Sequence, residues 1–135
     1  MLLRAMSIRI VRLGHTPRRK GEGLRIGTVR RPPRGVPKAK WPVDWFDVWF
    51  PNLAPSAETM KLGQATETEA QWNAFARKYR AEMKTLENSH TLDVLAALSH
   101  TANFAVGCYC ENESRCHRSL LRELLVARGA EIEGN

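Results

Sequence analysis

The sequence predicts a single three-layer α/β domain with a mostly parallel central sheet flanked by helices. Three observations predict it. Phe104 to Cys110 is an almost unbroken apolar run with Gly107 inside it, which is how a strand covered on both faces reads. Helical stripes stand on either side of that run, Trp72, Phe75, Tyr79 and Met83 before it and Leu120, Leu121, Leu124 and Leu125 after it. The order helix, buried strand, loop, helix is α/β grammar.

The elements follow in chain order. Residues 1–6 add nothing to the first pattern and are expected outside the core. From Ser7 to Leu13, apolar Ile8, Ile10 and Leu13 alternate with Arg9 and Arg12, a strand signature. Residues 14–23 read as a basic loop, and Leu24 to Val29 as a second strand. Residues 31–43 read as a Pro-rich loop, because Pro32, Pro33 and Pro37 remove backbone donors and restrict the residues before them. Phe46 to Phe50 is a short aromatic strand stopped by Pro51, and residues 52–56 form a loop entering a short helix. Thr66 with Glu69 three residues on has the capping-box spacing. The Trp72–Met83 stripe is read as core packing rather than a base-stacking surface. A further helix runs from Thr91 to Ser99. The last runs from Cys116 to Arg128, with Gly129 as its stop.

Composition narrows the class. The chain has 135 residues, 43% hydrophobic and 26% charged, enough for one ordinary core and unlike disordered or fibrous chains. The longest apolar run is far too short to span a bilayer. The start, Met-Leu-Leu-Arg, carries no signal-peptide core. Three cysteines, an odd count, then predict a cytoplasmic protein with reduced thiols and no membrane partner. Charge is lopsided. Residues 1–40 hold twelve Lys or Arg and one acid, Glu22, a net of +11, while residues 41–135 carry a net of −4. An anionic partner is implied, either an anionic small molecule or nucleotide, or a nucleic acid held by the basic third.

The chemistry gathers after the buried strand, where open α/β sheets form their sites. All three cysteines fall within nine residues, Cys108 and Cys110 at the strand end and Cys116 beside His117, Arg118 and Ser119 at a helix start. Three readings are open. One is a thiol or anion site, with Cys116, His117 and Cys108 as reactive groups. Arg118 and Ser119 would hold a phosphorylated or nucleotide-type ligand at the free first-turn amides. A helix start would then lower the Cys116 pKa, and burial would raise that of Cys108. The second is a zinc site of Cys108, Cys110, Cys116 and His117, a donor set that suits tetrahedral coordination. Adjacent Cys116 and His117 can both reach one ion only if the helix starts later. In the third, the cysteines are packing residues and no cofactor is bound.

A tyrosine-phosphatase loop, Cys then Arg six positions on, is not met from Cys108 or Cys110, and no Gly-rich nucleotide loop is present. Arg30 and Arg34, held in the proline-stiffened loop, are further candidate ligand-binding residues across the cleft. His15 is expected to be solvated, and His90 and His100 flank a helix without a catalytic partner in the spacing.

Four motifs in order carry a resemblance. They are Arg30 with Pro33-Arg34-Gly35, Trp49 with Leu53-Ala54-Pro55-Ser56, the Trp72–Phe75–Tyr79–Met83 helix, and Cys108-x7-Cys116-His117-Arg118. Over about residues 7 to 128 the chain resembles the family called domain of unknown function 488, in its YeaO-like branch. Val29 and Cys110 stand where members often carry other residues. The resemblance implies a compact α/β domain and candidate residues, with no assigned reaction.

Overall fold

A computed structural model describes residues 6–134. Four parallel strands form one sheet in the order β1-β4-β2-β3, with β1 at Ile8–Arg12, β2 at Leu24–Gly27, β3 at Val48–Trp49 and β4 at Phe104–Cys108. The helices are α1 (Trp41–Asp44), α2 (Ala57–Gln64), α3 (Glu69–Met83), α4 (Leu86–Leu98) and α5 (His117–Ala127). No helix among the described residues is long and apolar enough to cross a membrane.

As the apolar run predicts, β4 is interior. It pairs with β1 on one side and β2 on the other, and all five of its residues are buried. Its first face carries Phe104 and Val106, which join Ile8 under α3, α4 and α5. The helices contribute Phe75, Tyr79, Met83, Leu92, Leu121 and Leu125 to this core. The opposite face is covered more thinly. There Phe46 and the half-buried Trp41 and Trp45 of the α1 segment close over Val11, Leu13 and Ala105.

Small residues on that second face make room for what covers it. Ala105 stands between Arg9 and Arg25 in the strand register. Its methyl group leaves space for both guanidinium stems and for Glu22. Arg25 is fully buried and grips Glu22 with two bonds of 3.0 and 2.8 Å, while Arg9 donates to Glu22 at 2.5 Å. Arg25 also donates to the Thr16 carbonyl at 2.9 Å, tying down the 14–23 loop. One step along, Gly107 lies between Val11 and Gly27, and Phe46 sits directly over Gly27.

Among the boundaries that differ from the sequence reading, three have a plain local reason. The capping box of α3 is Thr68 with Gln71, whose side chains exchange bonds with each other's amides. Thr66 instead donates to the Leu62 carbonyl and finishes α2. Helix α4 begins at Leu86, because Thr85 caps it through the Asn88 amide, and so it takes in His90 as well as Thr91. Within the expected 31–43 loop, Trp41 starts the single turn of α1 and Pro42 follows it in the first turn, where a missing amide hydrogen costs nothing. Residues 1–5 of the stretch expected outside the core lie outside the described residues.

Candidate active site at the carboxyl ends of the strands

Strand β4 delivers Cys108 at its last position, and the chain turns out through Tyr109 and Cys110. Asn112 then caps a short turn at Glu113–Arg115 through the Ser114 amide. Glu113 is held bidentately by Arg122 of α5 at 3.0 and 3.2 Å. Arg115 pairs with Glu69 at 2.6 Å and lies over the Trp72 ring. The loop is thus fastened to both α3 and α5.

Cys116 is extended backbone and stands as the N-cap of α5, with His117 as the first helical residue. The helix therefore starts after the cysteine. This brings Cys116 Sγ to 2.7 Å from Cys108 Sγ, both free thiols and both buried. Cys110 is exposed, and the three sulfurs lie within 4.8 Å of one another.

His117 is buried beneath them, 5.6 Å from the Tyr79 ring. Its Nε2 stands 2.7 Å from the Thr28 carbonyl oxygen, which can only accept, so Nε2 carries the proton. The lone pair of Nδ1 then faces Cys116 Sγ at 3.7 Å. Burial holds the His117 pKa down and keeps the ring neutral. The structure joins His117 to Cys116, and the group of mutually close sulfurs does not include it.

Arg118 is 4% exposed. It donates from Nη2 to the Cys110 carbonyl at 2.5 Å, and its buried Nε has no partner. Burial opposes its charge, but the Cys108 and Cys116 sulfurs outweigh that and raise its pKa. Ser119 spends its hydroxyl on the Cys116 carbonyl at 2.9 Å.

The order of thiol acidity differs from that expected of a helix-capping Cys116. Hydrogen bonds from Cys108 and then Cys116 hold the Cys110 thiol far below its ordinary value. At Cys116 the bond with Cys108 favours the thiolate. The opposing bond with Cys110 and burial prevail, so its pKa rises. Burial foremost pushes Cys108 upward, as expected. The thiolate is thus favoured at the exposed sulfur and opposed at the two buried ones.

The cluster opens into a pocket of about 300 Å³ bounded by Met60, Gln64, Phe75 and Tyr109. Through Met60, Gln64 and Tyr109 this pocket adjoins a larger cleft of about 660 Å³. Arg30, Arg31, Arg34, Lys61 and His15 line that cleft, and no acid does. Trp45 and Tyr109 meet edge to face at 5.7 Å and form its aromatic wall. Arg30 and Arg34 line the larger cleft, and the cysteines line the adjoining pocket. Arg30 also braces the loop before α2, donating to the carbonyls of Pro55, Pro51 and Ala54 at 2.9, 3.1 and 3.2 Å.

Much of the basic N-terminal third is turned to internal use. Arg9 and Arg25 hold Glu22, Arg18 holds Asp47, and Arg19 reaches Glu133. Lys20, Arg31, Arg34, Lys38 and Lys40 are exposed and make no ion pair among the described residues.

Several lining residues escaped the sequence reading. Tyr109 follows Cys108 directly, and its position at the strand end could have marked it. Lys61, Met60 and Gln64 carry no local signal, because only the docking of α2 against α3 brings them to the cleft. A family model described as the Active DUF488-N3 subclade, DUF488-N3a, matches residues 8–129. No curated protein and no solved structure matches the sequence.

Proposed function

The chain belongs to the DUF488-N3a family, and from its cleft we propose that it binds a phosphorylated, nucleotide-type anion and presents it to the cysteine cluster. The observation that carries this reading is the lining of the larger cleft. Four cationic side chains meet there with no acid, and the cleft continues into the sulfur pocket. Low-dielectric walls of one sign concentrate an oppositely charged ligand. Arg31, Arg34 and Lys61 make no ion pair among the described residues, and the two arginines are set in a loop that three prolines stiffen, so little freedom is lost on gripping an anion. Trp45 and Tyr109 offer an apolar wall of the kind on which a base stacks. Cys110 is the sulfur such a ligand meets. Cys108, Cys116 and His117 lie behind it and set its hydrogen bonding.

Titration of a nucleoside monophosphate, followed by Trp45 fluorescence or calorimetry, tests this. Arg34→Ala and Arg31→Ala should each weaken binding about tenfold, since a charge-assisted hydrogen bond contributes about 1.5 kcal/mol or more. Lys20→Ala, at the other end of the sheet, should leave affinity unchanged. Binding that ignores Arg31 and Arg34, or no binding at low salt, would overturn the proposal. A single strand bound with steep salt dependence through Lys20, Lys38 and Lys40 would favour the nucleic-acid reading instead.

A further inference from the structure

We propose that Cys108, Cys110 and Cys116 form a trithiolate site for a thiophilic divalent cation, zinc by its chemistry, with a fourth position open to the cleft. The anion reading enters only in naming what that fourth position faces. Three features of the structure support the site.

The first is the geometry of the sulfurs. All three lie within 4.8 Å of one another. A zinc–sulfur distance of about 2.3 Å in a tetrahedron requires sulfurs roughly 3.8 Å apart. The Cys108–Cys116 pair, at 2.7 Å, would part by about 1 Å to take the ion. The three sulfurs come from separate places, a strand end, the following loop and a helix N-cap. They can therefore adjust independently, while the Glu113–Arg122 pair keeps the loop in place.

The second is charge. Arg118 is almost wholly buried, makes no ion pair among the described residues, and has an unpartnered Nε. A buried cation calls for an opposite charge nearby. Three thiolates around a divalent ion carry one net negative charge, which meets that need.

The third is the distribution of exposure. Cys108 and Cys116 are buried and Cys110 is exposed, so an ion seated among them is closed on the strand side and open toward the pocket. The ring nitrogens of His117 fall outside the group of mutually close ligand atoms, with Nδ1 3.7 Å from Cys116 Sγ, which leaves the fourth position to water or an anionic ligand. Three protein ligands plus an open position is the arrangement of reactive rather than structural zinc.

The test uses the full chain kept reduced, equilibrated with zinc and desalted. About one equivalent of zinc should remain, as a single three-ligand site requires. Cobalt titrated into the chelator-treated protein should produce thiolate charge-transfer absorption. Cys110→Ser, at an exposed position that folding tolerates, should lower zinc affinity by at least about 100-fold, more than loss of an outer-shell partner does. Failure to retain zinc, together with no cobalt charge-transfer band, would overturn the site. So would zinc retention that is indifferent to Cys110→Ser. A nucleoside monophosphate titration on the same chelated protein separates the two proposals. Binding that stays sensitive to Arg34→Ala there leaves the anion reading standing whatever the metal result. Zinc retention without any such binding, in chelated or loaded protein, defeats the anion reading alone.

Discussion

Glu22→Ala is expected to destabilise the protein by about 3–5 kcal/mol, the range for removing one partner of a buried ion pair. Glu22 is the single acid of the first forty residues and the sole anion between Arg9 and Arg25. Without it, the guanidinium of the fully buried Arg25 keeps only the Thr16 carbonyl as a hydrogen-bond partner and stands against Ala105 as a buried charge with no carboxylate bonded to it. Chemical denaturation should show the loss directly. Replacing both partners, Glu22→Leu with Arg25→Met, should recover most of it, because no charge is then left buried. The pH dependence has a definite sign. Burial raises the Glu22 pKa, but the hydrogen bonds from Arg25 and Arg9 prevail and hold it below its ordinary value of 4.5. Its contribution is therefore complete above that ordinary value and fades as pH falls through the lowered one. The gap between wild type and Glu22→Gln should accordingly close under acid conditions.

Gly107→Val should be comparably severe, about 3 kcal/mol or more, the upper end of overpacking costs. A Cβ at Gly107 would stand 2.6 Å from the Val11 carbonyl oxygen and 2.7 Å from Val11 Cγ2. The first of these is backbone of a paired strand and cannot rotate away. The strand that must shift is β4, which carries Cys108, so the cysteine cluster should loosen with the fold. Gly35→Ala is the contrast. Its Cβ would meet nothing within 4 Å, and only its φ of +76° opposes the change, a cost of about 1–2 kcal/mol. Thermal melts of the two variants should differ by several degrees, with Gly107→Val the lower.

How much of this was legible in the residues depends on range. The β4 run could be read because a strand buried on both faces has no polar position to confuse it. The α3 stripe could be read because Phe75, Tyr79 and Met83 repeat at helical spacing. The cluster itself was visible as three cysteines in nine residues. Its internal order was not, since that depends on Cys116 lying behind Cys108 while Cys110 turns outward. The internal pairing within the basic third was hidden for a similar reason. Alternation identifies Arg9 as facing away from Ile8 and Ile10, but only the parallel register sets it beside Ala105 and Arg25. Lys61 could not be placed at all, because its position depends on how α2 docks.

Amide chemical-shift mapping with a nucleoside monophosphate tests the central claim most directly. Both ends of the sheet open into clefts, one lined by Arg31, Arg34 and Lys61, the other by Ser7, Lys20 and Asn103. Shifts should concentrate at Arg30 to Gly35, Lys61 and Tyr109, extend to Cys110, and saturate together. Shifts centred on Lys20 and Asn103, or none at ligand concentrations that saturate an ordinary anion site, would contradict the account.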